Sequence, residues 1–115
     1  MKRIKDPDAL RLAHLRASEC VLCGKTAPLS IHHVYPKGQQ GDDVPANFVV
    51  LCVEIPRMAT TGCHGKIEAK DRAACEALSL HIMLNRSDTI EYLDGKLGGL
   101  DRALFWLERN LYAAR

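Results

Sequence analysis

Four of the five cysteines fall between residues 20 and 64, as Cys20-Val21-Leu22-Cys23, Cys52 and Cys63, and three of the five histidines share that window. Two thiolates three residues apart can grip one ion only if the chain turns sharply behind the second, and Gly24 supplies the positive φ that such a turn needs. Cys20 and Cys23 therefore read as the first half of a zinc knuckle. Cys52 and Cys63 supply the second half, and Cys75 is left as a bystander. Short β-like runs and turn residues flank both halves, which favours metal binding over chance spacing.

The bulk properties agree with a metal-stapled domain. A chain of 115 residues reads as one domain, 1–115, with a modest core that a metal staple would help. An odd cysteine count, and an N-terminus Met1-Lys2-Arg3-Ile4-Lys5-Asp6 without an apolar stretch, argue against a secreted disulfide framework and for a cytoplasmic protein. No run of 18 apolar residues is present, so no membrane span is expected. Net charge is only +2, yet residues 1–70 carry ten Lys/Arg against seven Asp/Glu, and residues 71–115 six against seven. The positive excess lies with the cysteines and histidines, where it suits a small phosphate footprint.

Taken in order, Lys2, Arg3 and Lys5 form a basic arm that reads as a solvated terminus. Asp6-Pro7-Asp8 starts a helix over Ala9–Ala17, with Leu10, Leu12, Ala13 and Leu15 as candidate buried positions and His14 on the surface. Leu29 to Tyr35 reads as a strand with β-branched Ile31 and Val34 around His32 and His33. Adjacent strand residues point to opposite faces, so these two histidines should do different jobs. A loop rich in Gly, Gln and Asp (Gly38-Gln39-Gln40-Gly41-Asp42-Asp43) precedes Asn47 and a second strand, Phe48–Val53. A helix is expected from Cys63 through Ile67, Glu68 and Ala69, with His64 projecting back toward the strands. Residues 71–115 read as helical scaffold. Cys75, Leu78 and Ile82 make a core-facing stripe, Asp88 and Glu91 a helix start, and Leu100, Ala103, Leu104, Leu107 and Leu111 a last amphipathic helix. Phe105, Trp106 and Tyr112 fall off that stripe and are candidates to pack on the core or on a protein partner.

The order Cys-x2-Cys, His32-His33, Asn47, Leu51-Cys52, Cys63-His64-x-Lys66 resembles the HNH endonucleases, the zinc-stapled branch of the ββα-metal nucleases. The resemblance covers residues 20 to about 70. It implies an α+β fold: a small ββα-metal, treble-clef-like core with flanking helices. It also implies a metal-dependent DNA endonuclease, with a structural zinc on Cys20, Cys23, Cys52 and Cys63 and a catalytic divalent metal on His32 and His64. His33 would be the general base, Asn47 the tether of the loop that positions it, and Lys66 a phosphate contact. Two residues usually separate the second cysteine pair in the family, but ten separate Cys52 from Cys63. Loop closure adds only about 0.6 kcal/mol per doubling of length, against about 10–16 kcal/mol of apparent zinc binding in small structural sites. Zinc should win. For a chain of this size the resemblance suggests a phage or prophage setting.

Phosphodiester hydrolysis needs a deprotonated water, relief of charge on the phosphoryl oxygens and a stabilised leaving 3′-oxygen. An imidazole is largely neutral at physiological pH, so His33 can take the water's proton. A divalent ion can meet the other needs, and His32 suits Zn2+, Ni2+ or Mn2+ better than an exclusive Mg2+ requirement, since many family members have Asp in its place. The resemblance implies 5′-phosphate and 3′-hydroxyl ends. DNA contacts are expected from Lys37, Lys66, Lys70 and Arg57, mostly to backbone phosphates. The alternative is a non-catalytic zinc-knuckle module binding DNA or protein. A redox or metal-storage role is disfavoured because neither cysteine pair sits in a thioredoxin-like βαβ unit.

Overall fold

The structure, a computed structural model, describes residues 3–109. Lys2 of the basic arm, and Leu111 and Tyr112 of the last helix, lie outside the described residues. The strands β1 (Leu29–His33) and β2 (Phe48–Cys52) form a two-stranded antiparallel sheet in which Ser30 pairs with Leu51, His32 with Val49 and His33 with Phe48. The helices are α1 (Pro7–Arg16), α2 (Gly62–Glu68), α3 (Arg72–Asn85), α4 (Ser87–Leu97) and α5 (Leu100–Leu107), so the described residues make an α+β protein. No helix among them is long and apolar enough to cross a membrane.

The first strand stops at His33 rather than Tyr35. Asn47 takes over the Tyr35 backbone, accepting its N–H at 2.7 Å and donating to its carbonyl at 3.1 Å, and so replaces a strand partner with a side chain. The second strand likewise ends at Cys52 instead of Val53. Helix α1 begins as its residues dictate, with Pro7 in its first turn and the Asp6 carboxylate accepting from the Ala9 N–H at 3.1 Å. Its apolar stripe is not a core, however. Leu12 and Leu15 are 45% and 79% exposed, and Leu10 and Ala13 are only half-buried, because this outlying helix packs one edge on β1 and turns the rest to solvent.

The interior lies between the sheet and the C-terminal helices. Leu51, Val53, Ile67, Cys75, Leu78, Ile82, Leu93, Ala103 and Leu107 are all buried, and the stripe on α3 faces inward at Cys75, Leu78 and Ile82. Asp71 caps that helix by accepting from the Ala74 N–H at 3.0 Å. On α5 only Ala103 and Leu107 of the stripe are buried among the described residues. Leu100 and Leu104 stay exposed since the helix meets α4 along a single edge. Trp106 packs against Tyr35, ring centroids 5.3 Å apart, while Phe105 is exposed.

Helix α4 starts at Ser87, and Asp88 does not cap it. Asp88 instead pairs with Arg86, whose guanidinium also donates to the carbonyls of Phe48 at 2.7 Å and Pro45 at 3.0 Å. Thr89 donates to the Ala46 carbonyl at 2.6 Å. The start of α4 is thereby tied to the start of β2. The N-terminal arm also departs from expectation. Arg3 is not solvated but pairs with Asp43 at 2.8 Å, and the Ile4 N–H donates to Asp42 at 2.6 Å. Two adjacent buried carboxylates need donors, and the arm supplies them.

Candidate functional site

The four cysteines at Cys20, Cys23, Cys52 and Cys63 converge although they come from a turn, a strand end and a helix start. Their sulfurs all lie within 4.8 Å of one another, and those of Cys23 and Cys52 are 3.6 Å apart. Sulfurs on a tetrahedral zinc stand about 3.8 Å apart, given Zn–S bonds of about 2.3 Å, so the spacing fits one ion. Gly24 has φ of 78°, as the turn behind Cys23 requires. The long segment between Cys52 and Cys63 closes on itself through Thr61. Its hydroxyl accepts from the N–H groups of Glu54 and Ile55 at 3.0 and 3.2 Å and donates to the Met58 carbonyl at 2.9 Å. Gly62 completes the return with φ of 62°, and a side chain there would come within 2.6 Å of the Cys52 carbonyl.

The thiols titrate unequally. Burial raises Cys20, but the backbone N–H groups of Cys23, Cys52 and Leu22 outweigh it and bring the thiol down to about 7. Burial pushes Cys52 and Cys63 up, and Cys63 is pushed further by its sulfur neighbours. These four residues can hold a metal such as zinc.

The second cluster lies in a cleft of about 540 Å³ lined by His32, His33, His64 and Glu68. His32 Nδ1 and His64 Nε2 are 3.3 Å apart, and Glu68 Oε1 stands 3.3 Å from the first and 3.4 Å from the second. Ligand atoms on a metal at bond lengths of about 2.0–2.1 Å take similar separations, so this group too can hold an ion. His64 and Glu68 share a helix face at i and i+4. Ser30 orients His64. Its hydroxyl donates to the Leu51 carbonyl at 3.0 Å and accepts from His64 Nδ1 at 2.5 Å, which leaves Nε2 with its lone pair toward the cluster. Burial, and then the neighbouring His32, lower His64, while the hydrogen bond from His32 holds Glu68 below its ordinary value.

His33 turns to the other side of the strand. Its Nε2 lies 2.7 Å from Asp43 Oδ1, and its ring meets Phe48 edge-on, centroids 5.2 Å apart. Burial lowers its pKa, and Asp43 opposes that shift only in part. Asn47, fully buried, donates to the Asp42 carbonyl at 3.0 Å besides holding Tyr35, and so spans the loop that carries Asp43.

Of the residues singled out in the sequence, the structure gathers Cys20, Cys23, Cys52 and Cys63 in one place and His32 with His64 in another. His33 lines the cleft of the second, and Asn47 spans the loop that carries the partner of His33, Asp43. Lys66 does not join the second cluster. Two residues beyond His64, it points to another side of α2 and borders the groove of Cys23, Cys52 and Cys63. Lys37, Lys70 and His14 line the histidine cleft instead. Glu68, Asp43 and Ser30 were not picked out from the sequence. The i, i+4 spacing of His64 and Glu68 was a readable signal, whereas the other two contacts join distant segments. The chain matches no protein-family model, no curated protein and no solved structure.

Proposed function

We propose that this protein is a metal-dependent DNA endonuclease of the HNH type, built on a ββα-metal core with a separate structural zinc on its four cysteines. The observation that carries the reading is the juxtaposition of two unlike arrangements in one cleft. His32, His64 and Glu68 converge as a group that can hold a metal, and a half-buried histidine, His33, stands next to them without joining them. Three protein ligands leave coordination positions for water and phosphate, as a catalytic site requires and a structural one does not.

His33 takes the proton of the attacking water, whose oxygen bonds to phosphorus as the bond to the 3′-oxygen breaks and its electron pair leaves with that oxygen. His32, His64 and Glu68 would hold a divalent ion, which would supply Lewis acidity for the charge that develops in the reaction. Two imidazoles and one carboxylate suit Zn2+, Ni2+ or Mn2+, while Mg2+ prefers oxygen ligands. Lys37 and Lys70 flank the cleft and offer charge to backbone phosphates. The test is nicking of supercoiled plasmid by purified protein with Mg2+, Mn2+, Ni2+ or Zn2+, beside a His33→Ala control. Nicking by the wild type alone is expected. No cleavage with any metal would replace this reading with a non-catalytic zinc module.

A further inference from the structure

We infer that Asp43 is a positioning residue, which holds His33 as the Nε2–H tautomer and so presents Nδ1 as the nitrogen that takes the proton of the attacking water. The inference rests on the nuclease reading and deepens it. An ionised carboxylate only accepts hydrogen bonds, so a contact of 2.7 Å from Asp43 Oδ1 to His33 Nε2 requires the proton on Nε2. Among the described residues Nδ1 makes no hydrogen bond, and the ring lines the cleft.

Asp43 has little freedom to do otherwise. It is 4% exposed, its Oδ1 also accepts from Arg3 at 2.8 Å, and its Oδ2 accepts from the Asp6 N–H at 2.9 Å. The preceding residue is pinned as well, since Asp42 accepts from Tyr92 at 2.6 Å, Lys96 at 2.9 Å and the Ile4 N–H. With its backbone and both oxygens held, Asp43 fixes the imidazole from behind while Phe48 fixes its plane. When Nδ1 takes the proton, the carboxylate faces the cation that forms. The same logic makes a buried carboxylate valuable behind any histidine base.

Two variants separate this role from a merely structural one. In Asp43→Asn, an amide cannot accept on both sides. With its oxygen on the Asp6 N–H, its NH2 faces Arg3 and His33 and demands the Nδ1–H tautomer. With its oxygen on Arg3 and His33, its NH2 opposes the Asp6 N–H and the charge behind the ring is gone. Arg3→Ala removes a neighbouring bond of comparable burial and leaves the pair of Asp43 and His33 intact. Long-range 15N–1H correlation spectra of zinc-loaded protein, free of other divalent ions, read the tautomer directly. Plasmid nicking with Mn2+ reads kcat and KM.

The wild type should show Nε2–H, Arg3→Ala should keep it, and Asp43→Asn should shift it toward Nδ1–H. Asp43→Asn should lower kcat by about 10²–10⁴-fold, the range of general-base catalysis, with KM little changed. Arg3→Ala should lose thermal stability but keep kcat. A wild type with Nδ1–H overturns the inference without any variant being needed. An Asp43→Asn protein that nicks at the wild-type rate overturns it and spares the nuclease. An Nε2–H wild type that cleaves nothing with any metal overturns the nuclease reading and the positioning role of Asp43 in it, leaving only the hydrogen bond.

Discussion

Four sulfurs meet at Cys20, Cys23, Cys52 and Cys63 with only backbone N–H groups and one another as hydrogen-bonding neighbours among the described residues, whereas the histidines are braced from behind by protein. Ser30 orients His64, Asp43 orients His33, and Asn47 holds the loop that carries Asp43. One cluster is a set of four thiols that can hold a cation such as zinc. The other is shaped by hydrogen bonds that form with the fold. The comparison teaches that removing metal should have different consequences at the two places, structural at the first and chemical at the second.

The largest effect should come from the cysteines. Apparent zinc binding of about 10–16 kcal/mol in small structural sites rivals the whole stability of a domain, about 5–15 kcal/mol. We expect one tightly held zinc per chain. A chelator strong enough to strip it, or Cys52→Ser, should abolish the cooperative thermal transition followed by circular dichroism. Zinc-free protein that melts as before would break the comparison at its first term. Depleting divalent ions from the histidine cleft alone should leave the melting curve nearly in place.

At the histidines, separate losses should appear. His33→Ala should lower nicking by about 10²–10⁴-fold while the cleft keeps its affinity for Mn2+ or Ni2+ in titration calorimetry. His32→Ala and Glu68→Ala should weaken that affinity and lose cleavage through it. Equal metal loss in His33→Ala and His32→Ala would show that base and ligand have been confused.

This division was partly legible in the sequence. The cysteine spacing and the stripe at Cys75, Leu78 and Ile82 are local patterns, and the structure gathers the first and buries the second, while strand alternation sends the neighbouring His32 and His33 to different partners. Non-local contacts were not legible. Nothing in the order of residues says that Arg3 reaches Asp43, forty positions away, or that Arg86 holds the Phe48 and Pro45 carbonyls. Periodicity misled at α1, whose apolar positions would suit a core but have only one edge of sheet to cover. Lys66 lies close to His64 along the chain but borders the cysteine groove, because two residues along a helix do not share a face.

The bracing behind His33 should reveal itself in acid. Burial raises Asp42, but Tyr92, the Ile4 N–H and Lys96 outweigh it and hold the carboxyl at about 2, below its ordinary 3.8. The ionised form is therefore favoured by the fold. Its contribution is complete above about pH 4 and disappears as pH falls toward 2, about 2 kcal/mol in all. Acid also protonates the zinc ligands, so the informative quantity is the difference between wild type and Asp42→Asn in urea melts from pH 5 to 2. The two stabilities should converge by about that amount as pH falls. A constant difference would show that the bonds to Asp42 do not depend on its charge.

The smallest effect sharpens the comparison at the surface. Lys37 and Lys70 border the histidine cleft, and Lys66 borders the cysteine groove. If DNA lies across the cleft, each of the first two neutralises a phosphate, and its removal should make the dependence of log K on log salt shallower by about 0.9. Lys66→Ala should leave the slope unchanged. Lys70 offers a cleaner form of the test because it sits at φ of 61°, in the left-handed region. Glycine adopts that region readily, and an L side chain there costs about 1–2 kcal/mol. Lys70→Gly therefore removes the charge while relieving the backbone. Binding to duplex DNA, measured by fluorescence anisotropy across a salt series, should weaken and lose slope even as the melting temperature holds or rises. A protein that binds as tightly after Lys70→Gly, but loses affinity and slope with Lys66→Ala, would place the nucleic acid over the cysteines instead.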